Sequence, residues 1–135
     1  MLLQEATEED LSDPCMLLAK SHAEMSGLRF KLGAVIKYGK TKIAAYNSNK
    51  THSTFGCGRY RSLHAESYCI LRAIKRSVDL SRSVLYVYRA HGLMAKPCPD
   101  CEALIRRFRI KKVIYTNVKE GNSRKAEEPS NSSGD

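Results

Sequence analysis

Two short stretches carry side chains able to do chemistry. In "SLHAES" (62–67), His64 and Glu66 lie two positions apart at the mouth of an apolar run; in "KPCPDC" (96–101), Cys98 and Cys101 frame a C-x-x-C. Pro99 suits a first helical position, which puts Cys98 at the N-cap and Cys101 in the first turn. Free backbone N–H groups and the helix dipole there favour thiolates. Two thiolates so spaced can hold one Zn²⁺ at about 2.3 Å. Alone, a C-x-x-C is a weak signal, read equally well as a redox pair or two half-buried thiols. His64 as a third ligand changes that, because three protein ligands leave a fourth position for water, as in catalytic zinc sites. Glu66 is then the natural general base for that water. Positions i and i+2 diverge on a regular helix, so both can face one metal only at an irregular helix start. A rival arrangement adds Cys57 as a fourth ligand and closes the site as a structural Cys₃His centre without catalysis.

The elements that must position these residues are legible in outline. Asp13 and Pro14 form an N-cap and first-turn pair for a helix whose Leu17, Leu18 and Met25 share one apolar face. "LGAVIKYG" (32–39) and "KIAAYNS" (42–48) read as a hairpin across a tight turn. Residues 49–61 are a Gly-containing basic loop, after which Leu63, Ile70, Leu71, Ile74 and Val78 make a helical stripe with Ser62 as its cap. "SVLYVYR" (83–89) and "KKVIYT" (111–116) are strand-like, and between them Cys101, Leu104, Ile105 and Phe108 repeat at helix spacing. The order is α-β-β-α-β-α-β, with strand–helix–strand crossovers that demand parallel pairing. The fold class is therefore α/β, with one mixed sheet covered by helices. Residues 1–13 read as an acidic lead-in, 14–118 as the folded domain, and 119–135 as a polar, disordered tail.

The chain has 135 residues, 42% apolar, enough for one domain with a real core. No stretch approaches the ~18 apolar residues of a membrane span, and "MLLQEATEED" lacks the basic start and apolar middle of a signal peptide. A cytoplasmic chain with no membrane partner is expected, and its five cysteines are reduced thiols or metal ligands. The net charge of +9 hides an asymmetry: residues 14–118 hold 20 Lys/Arg against five Asp/Glu. Such a surface draws anions, either phosphorylated nucleotides or nucleic acid. Arg59 and Arg61, with Lys50, stand in the 49–61 loop where they can hold a phosphate. Arg106, Arg107 and Arg109 are a solvated helix face or a nucleic-acid path, with Tyr60 or Phe55 available to stack a base. Cys15 and Cys69 sit among apolar neighbours and read as core thiols.

His64-Ala65-Glu66 followed by Pro97-Cys98-Pro99-Asp100-Cys101 matches H-x-E…P-C-x-x-C, and over residues 14–118 the chain resembles the zinc-dependent cytidine and deoxycytidylate deaminase superfamily. Histidine as the first ligand is similar to the deoxycytidylate and nucleic-acid-editing branches. The resemblance implies a three-layer cytidine-deaminase-like fold. It makes His64, Cys98 and Cys101 zinc ligands and Glu66 the proton shuttle. In "AAYNSNKTH" it makes Asn47 a contact to sugar or base, with Asn49 as substitute, and it adds Ala65 and Pro97 to the substrate-binding set. It also implies a homo-oligomer. One departure is "RAHGLMAK" (89–96), an extra loop whose Arg89 and His91 can reshape substrate choice. The function so implied is hydrolytic deamination of a cytosine nucleotide, deoxycytidylate first, with release of ammonia. The alternatives are deamination of cytosine or adenine in single-stranded DNA or RNA, including transfer RNA, and a non-catalytic zinc module that binds nucleic acid.

Overall fold

Alternation along Leu32–Tyr38 explains how the layers assemble. Val35 faces one side of this strand, and Ala34 and Ile36 the other, and all three are buried because both faces of the sheet are covered. The computed structural model describes residues 1–117. Its elements are β1 (Leu2–Glu5), α1 (Glu8–Leu11), α2 (Pro14–Ala23), β2 (Leu32–Tyr38), β3 (Thr41–Tyr46), α3 (Ala65–Lys75), β4 (Val84–Arg89), α4 (Pro99–Arg107) and β5 (Lys112–Tyr115). The five strands form one mixed sheet in the order β1-β5-β4-β2-β3. β2 runs antiparallel to both neighbours, and β4, β5 and β1 are parallel to one another. Helix α2 covers one face through Cys15, Met16 and Ala19 against Val35, Tyr86 and Ile114. Helices α3 and α4 cover the other through Ala65, Cys69, Ile70, Ala73, Leu104 and Ile105. The three-layer α/β fold with a mixed sheet is as expected.

Three details differ from the sequence reading. Residues 1–13, expected as a lead-in, supply a fifth strand: β1 pairs in register with β5, Leu3 opposite Val113 and Glu5 opposite Tyr115. A four-residue edge strand needs only its neighbour's backbone, a long-range partner that local composition does not encode. Thr7 and Asp10 then close a capping box around α1. On α2 the buried face is Cys15, Met16, Ala19 and Ala23, whereas Leu17 and Met25 are 51% and 59% exposed. Close approach decides this, since a Cβ at Gly33 would overlap the Ala19 carbonyl of the facing helix. At that point of closest approach the helix carries the small side chains of Ala19 and Ala23. Finally, His64 and not Ser62 caps α3, because Ser62 is paired with Cys57 and Thr51 in the preceding loop.

The hairpin forms as expected, with Gly39 at φ 57° in its two-residue turn. Among the described residues no helix is long and apolar enough to cross a membrane. The 119–135 tail lies outside the described residues.

Candidate active site

Two helix starts on one face of the sheet bring the chemistry together. His64 takes the N-cap of α3 in an extended conformation, and its N–H donates to Ser67 Oγ at 3.1 Å. That break from helical geometry lets His64 and Glu66 reach one cavity. Cys98 is the N-cap of α4, its sulfur accepting from the Cys101 N–H at 3.5 Å, with Pro99 at the first position. His64 Nδ1 lies 3.5 Å from Cys98 Sγ and 3.6 Å from Cys101 Sγ. About 3.6 Å is what separates a nitrogen and a sulfur donor around one tetrahedral zinc.

A fourth donor stands with them. The ligand atoms of Cys57, His64, Cys98 and Cys101 all lie within 4.8 Å of one another. Hydrogen bonds to the Cys57 and Cys98 sulfurs push the His64 imidazole up to about 10. Cys98 is held well below the usual thiol range by hydrogen bonds from Cys101 and Cys57, and Cys101 is raised in exchange as the sulfurs share protons. A divalent cation displaces such protons and relieves the crowding. The donor set therefore fits zinc.

Glu66 lies beside the donors, 3% exposed, and burial pushes its carboxyl up to about 7. Its Oε1 is buried and has no hydrogen-bond partner among the described residues. Such an atom is costly to keep, and it lines a cavity of about 370 Å³ whose wall also holds His64 and Cys98. Leu28, Phe30, Leu32, Asn47 and Ser48 line it as well. Arg89, Met94, Ala95 and Lys96 bring the 89–96 loop to the remaining wall. Thr116 anchors that loop, its hydroxyl donating to Leu93 O at 2.9 Å and its carbonyl accepting from the Ala95 N–H at 2.9 Å. The Arg89 guanidinium lies over the Phe30 ring, 5.1 Å from its centre.

The remaining residues singled out in the sequence divide. Asn47 lines the cavity, its Oδ1 accepting from the Leu32 N–H at 3.0 Å and its Nδ2 donating to Phe30 O at 2.6 Å. Ala65 and Pro97 are buried beside the ligands but do not line the cavity. Arg59, Arg61 and His91 also stand outside its wall: Arg61 donates to Ser53 O at 3.0 Å, Arg59 lies over the Tyr60 ring, and His91 is exposed at φ 64°. Phe55 is core, stacked on Phe108, and only Tyr60 of the two candidate stacking residues is exposed. Cys15 and Cys69 are buried thiols, as read. The sequence reading missed Lys96 and the 28–32 wall. Lys96 had a signal, a base directly before P-C-P; Leu28 and Phe30 had none.

A family model described as the cytidine and deoxycytidylate deaminase zinc-binding region matches residues 6–117. Among solved structures, a dCMP deaminase from the cyanophage S-TIM5 in apo form is similar, with 26% identity, a TM-score of 0.63, and 87% of this chain and 90% of that chain covered. A second structure of a dCMP deaminase from that phage, in complex with dCMP and dUMP, has 22% identity and a TM-score of 0.59 over 81% and 85% of the two chains. A cytidine deaminase from Burkholderia pseudomallei has 17% identity and a TM-score of 0.60 over 78% and 84%. The latter two likenesses speak to the fold. No curated protein sequence matches significantly.

Proposed function

The chain belongs to the cytidine and deoxycytidylate deaminase family, and from that premise we propose that it hydrolyses the amino group from a cytosine nucleotide, deoxycytidylate above others, releasing ammonia. The observation that carries this reading is the Glu66 carboxylate oxygen, buried and unpartnered in a cavity shared with His64 and Cys98. His64, Cys98 and Cys101 would hold the zinc, which supplies a Lewis acid and an activated water there.

Glu66 does the proton work. Its carboxylate takes a proton from the attacking water and delivers it to the ring nitrogen beside the carbon bearing the amine. A carbon–oxygen bond forms, the carbon–nitrogen bond breaks, and the amine leaves as ammonia with the second proton of the water. A carboxyl shifted to about 7 is poised to act as base and acid in turn. Leu28, Leu32 and Met94 add apolar surface to the cavity wall against which a base can pack.

Arg89 and Lys96 favour a phosphorylated substrate, since both line the cavity and neither has an ion-pair partner among the described residues. Further support is the similarity to a cyanophage dCMP deaminase, which has been crystallised with dCMP and dUMP. Ammonia release from deoxycytidylate, deoxycytidine, deoxyadenylate and a cytosine-bearing single-stranded oligonucleotide tests the reading. Deoxycytidylate should turn over with a KM well below that of deoxycytidine. Turnover of the oligonucleotide alone would overthrow the free-nucleotide substrate.

A further inference from the structure

The loop between β3 and α3 is built around one cysteine. Cys57 and Ser62 exchange two backbone hydrogen bonds, Cys57 N–H to Ser62 O at 2.8 Å and Ser62 N–H to Cys57 O at 3.2 Å. The neighbouring Gly56 has no room for a side chain, since a Cβ there would overlap the Arg61 and His52 carbonyl oxygens. His52 Nδ1 accepts from the N–H groups of Thr54 and Phe55 at 3.1 and 3.0 Å, which locks the turn before the cysteine. After it, the Gly58 N–H donates to Asp100 Oδ2 at 2.7 Å. Asp100 lies between Cys98 and Cys101, so the loop is tied to the helix start that carries the other two sulfurs. These contacts fix Cys57 on both sides.

The result is a buried sulfur 3.4 Å from Cys101 Sγ. Outside the His64, Cys98 and Cys101 donors, its polar neighbours are weak for a thiol: Ser67 Oγ at 3.7 Å and Phe55 O at 3.8 Å. Two sulfurs bound to one tetrahedral zinc stand about 3.8 Å apart, close to what is seen here without any rearrangement. We propose that Cys57 is a fourth protein ligand of the zinc, reaching it from the side that does not face the substrate cavity.

Neither Cys57 nor Cys101 lines that cavity, whereas His64, Cys98 and Glu66 do. The cavity side of the metal therefore stays open to a further donor, as in catalytic zinc sites that expand to five ligands in the transition state. Cys57 thus adds a thiolate to the centre without blocking the pocket, which separates it from the closed structural arrangement. The proposal rests on the zinc deaminase reading for the identity of the metal, but its test counts sulfurs and does not depend on turnover.

Zinc-edge X-ray absorption on the substrate-free holoprotein should find three sulfurs at about 2.3 Å and one nitrogen. Two sulfurs with two lighter donors would overturn the proposal. Cobalt substitution gives a second readout, since sulfur-to-cobalt charge-transfer absorption scales with the number of thiolates. In Cys57→Ser at full cobalt occupancy it should fall by about one third, from three thiolates to two. Unchanged intensity overturns the assignment; should the variant not fold, the wild-type sulfur count decides alone. Zinc-loaded protein inactive on every cytosine substrate would sink the deaminase reading and leave the sulfur count standing.

Discussion

Glu66 holds the least comfortable position among the described side chains, a carboxyl 3% exposed with one oxygen unpaired. A protein keeps such a group for chemistry, not for packing. Glu66→Gln preserves shape and removes the base, so turnover should fall at least about 100-fold. Zinc should remain at one per chain in the variant, because the carboxylate is not among the four donors. Metal content and ammonia release on the same sample check this, and retained activity would remove Glu66 from the mechanism. The residues of this site were unusually legible in the sequence, because helix-start chemistry is local. Proline after Cys98 and the spacing of Cys101 are enough to place two sulfurs on a first turn. Cys57 was legible only as a rival, since nothing local shows that the six intervening loop residues return it to His64. Arg59 and Arg61 show the same limit: they are close to His64 along the chain, yet neither is in the wall of the cavity.

At the scale of elements, the sheet was read through alternation and the helices through period, and each method failed where backbone proximity outweighed side-chain size. The α2 face is the example. Its leucines predict burial, but the helix lies against Gly33 of β2, where Ala19 and Ala23 allow the approach. Gly33→Ala puts a methyl group against the Ala19 carbonyl and the Ala23 N–H, both backbone atoms that cannot rotate away. The variant should lose about 1–3 kcal/mol of stability through overpacking. A urea titration reads this as a lower midpoint at unchanged slope. β2 also carries Leu32 into the cavity wall, so KM should rise in the same variant. Wild-type stability in Gly33→Ala would mean that the helix is not seated as described. β1 escaped local reading because its partner, β5, lies more than a hundred residues away in the chain.

For the whole molecule, the question is what an excess of 20 Lys/Arg over five Asp/Glu in residues 14–118 is for. On the proposed reading one nucleotide phosphate accounts for a pair of cations, and Arg89 and Lys96, which line the cavity, would supply that pair. Most of the remainder lies outside the cavity wall, with Arg106 paired to Glu102 at 3.0 Å and Arg59 laid over the exposed Tyr60 ring. A basic exterior of this kind attracts polynucleotides through counterion release, with affinity that depends on the number of phosphates touched and not on a base in the pocket. The walls around Glu66 are of another kind, with Leu28, Phe30, Leu32 and the Thr116-anchored 89–96 loop, and the proposed substrate there is a single nucleotide. A single-stranded oligonucleotide should therefore bind weakly, its affinity falling steeply between 50 and 200 mM salt. Its cytosines should persist unchanged while deoxycytidylate in the same tube is consumed. Fluorescence anisotropy against salt, followed by sequencing of the recovered strand, measures both. Binding that ignores salt would point to stacking on an aromatic platform such as Tyr60. Uracil in the recovered strand would mean that the cavity opens further than its walls suggest, and would move the substrate from the free nucleotide to the polymer.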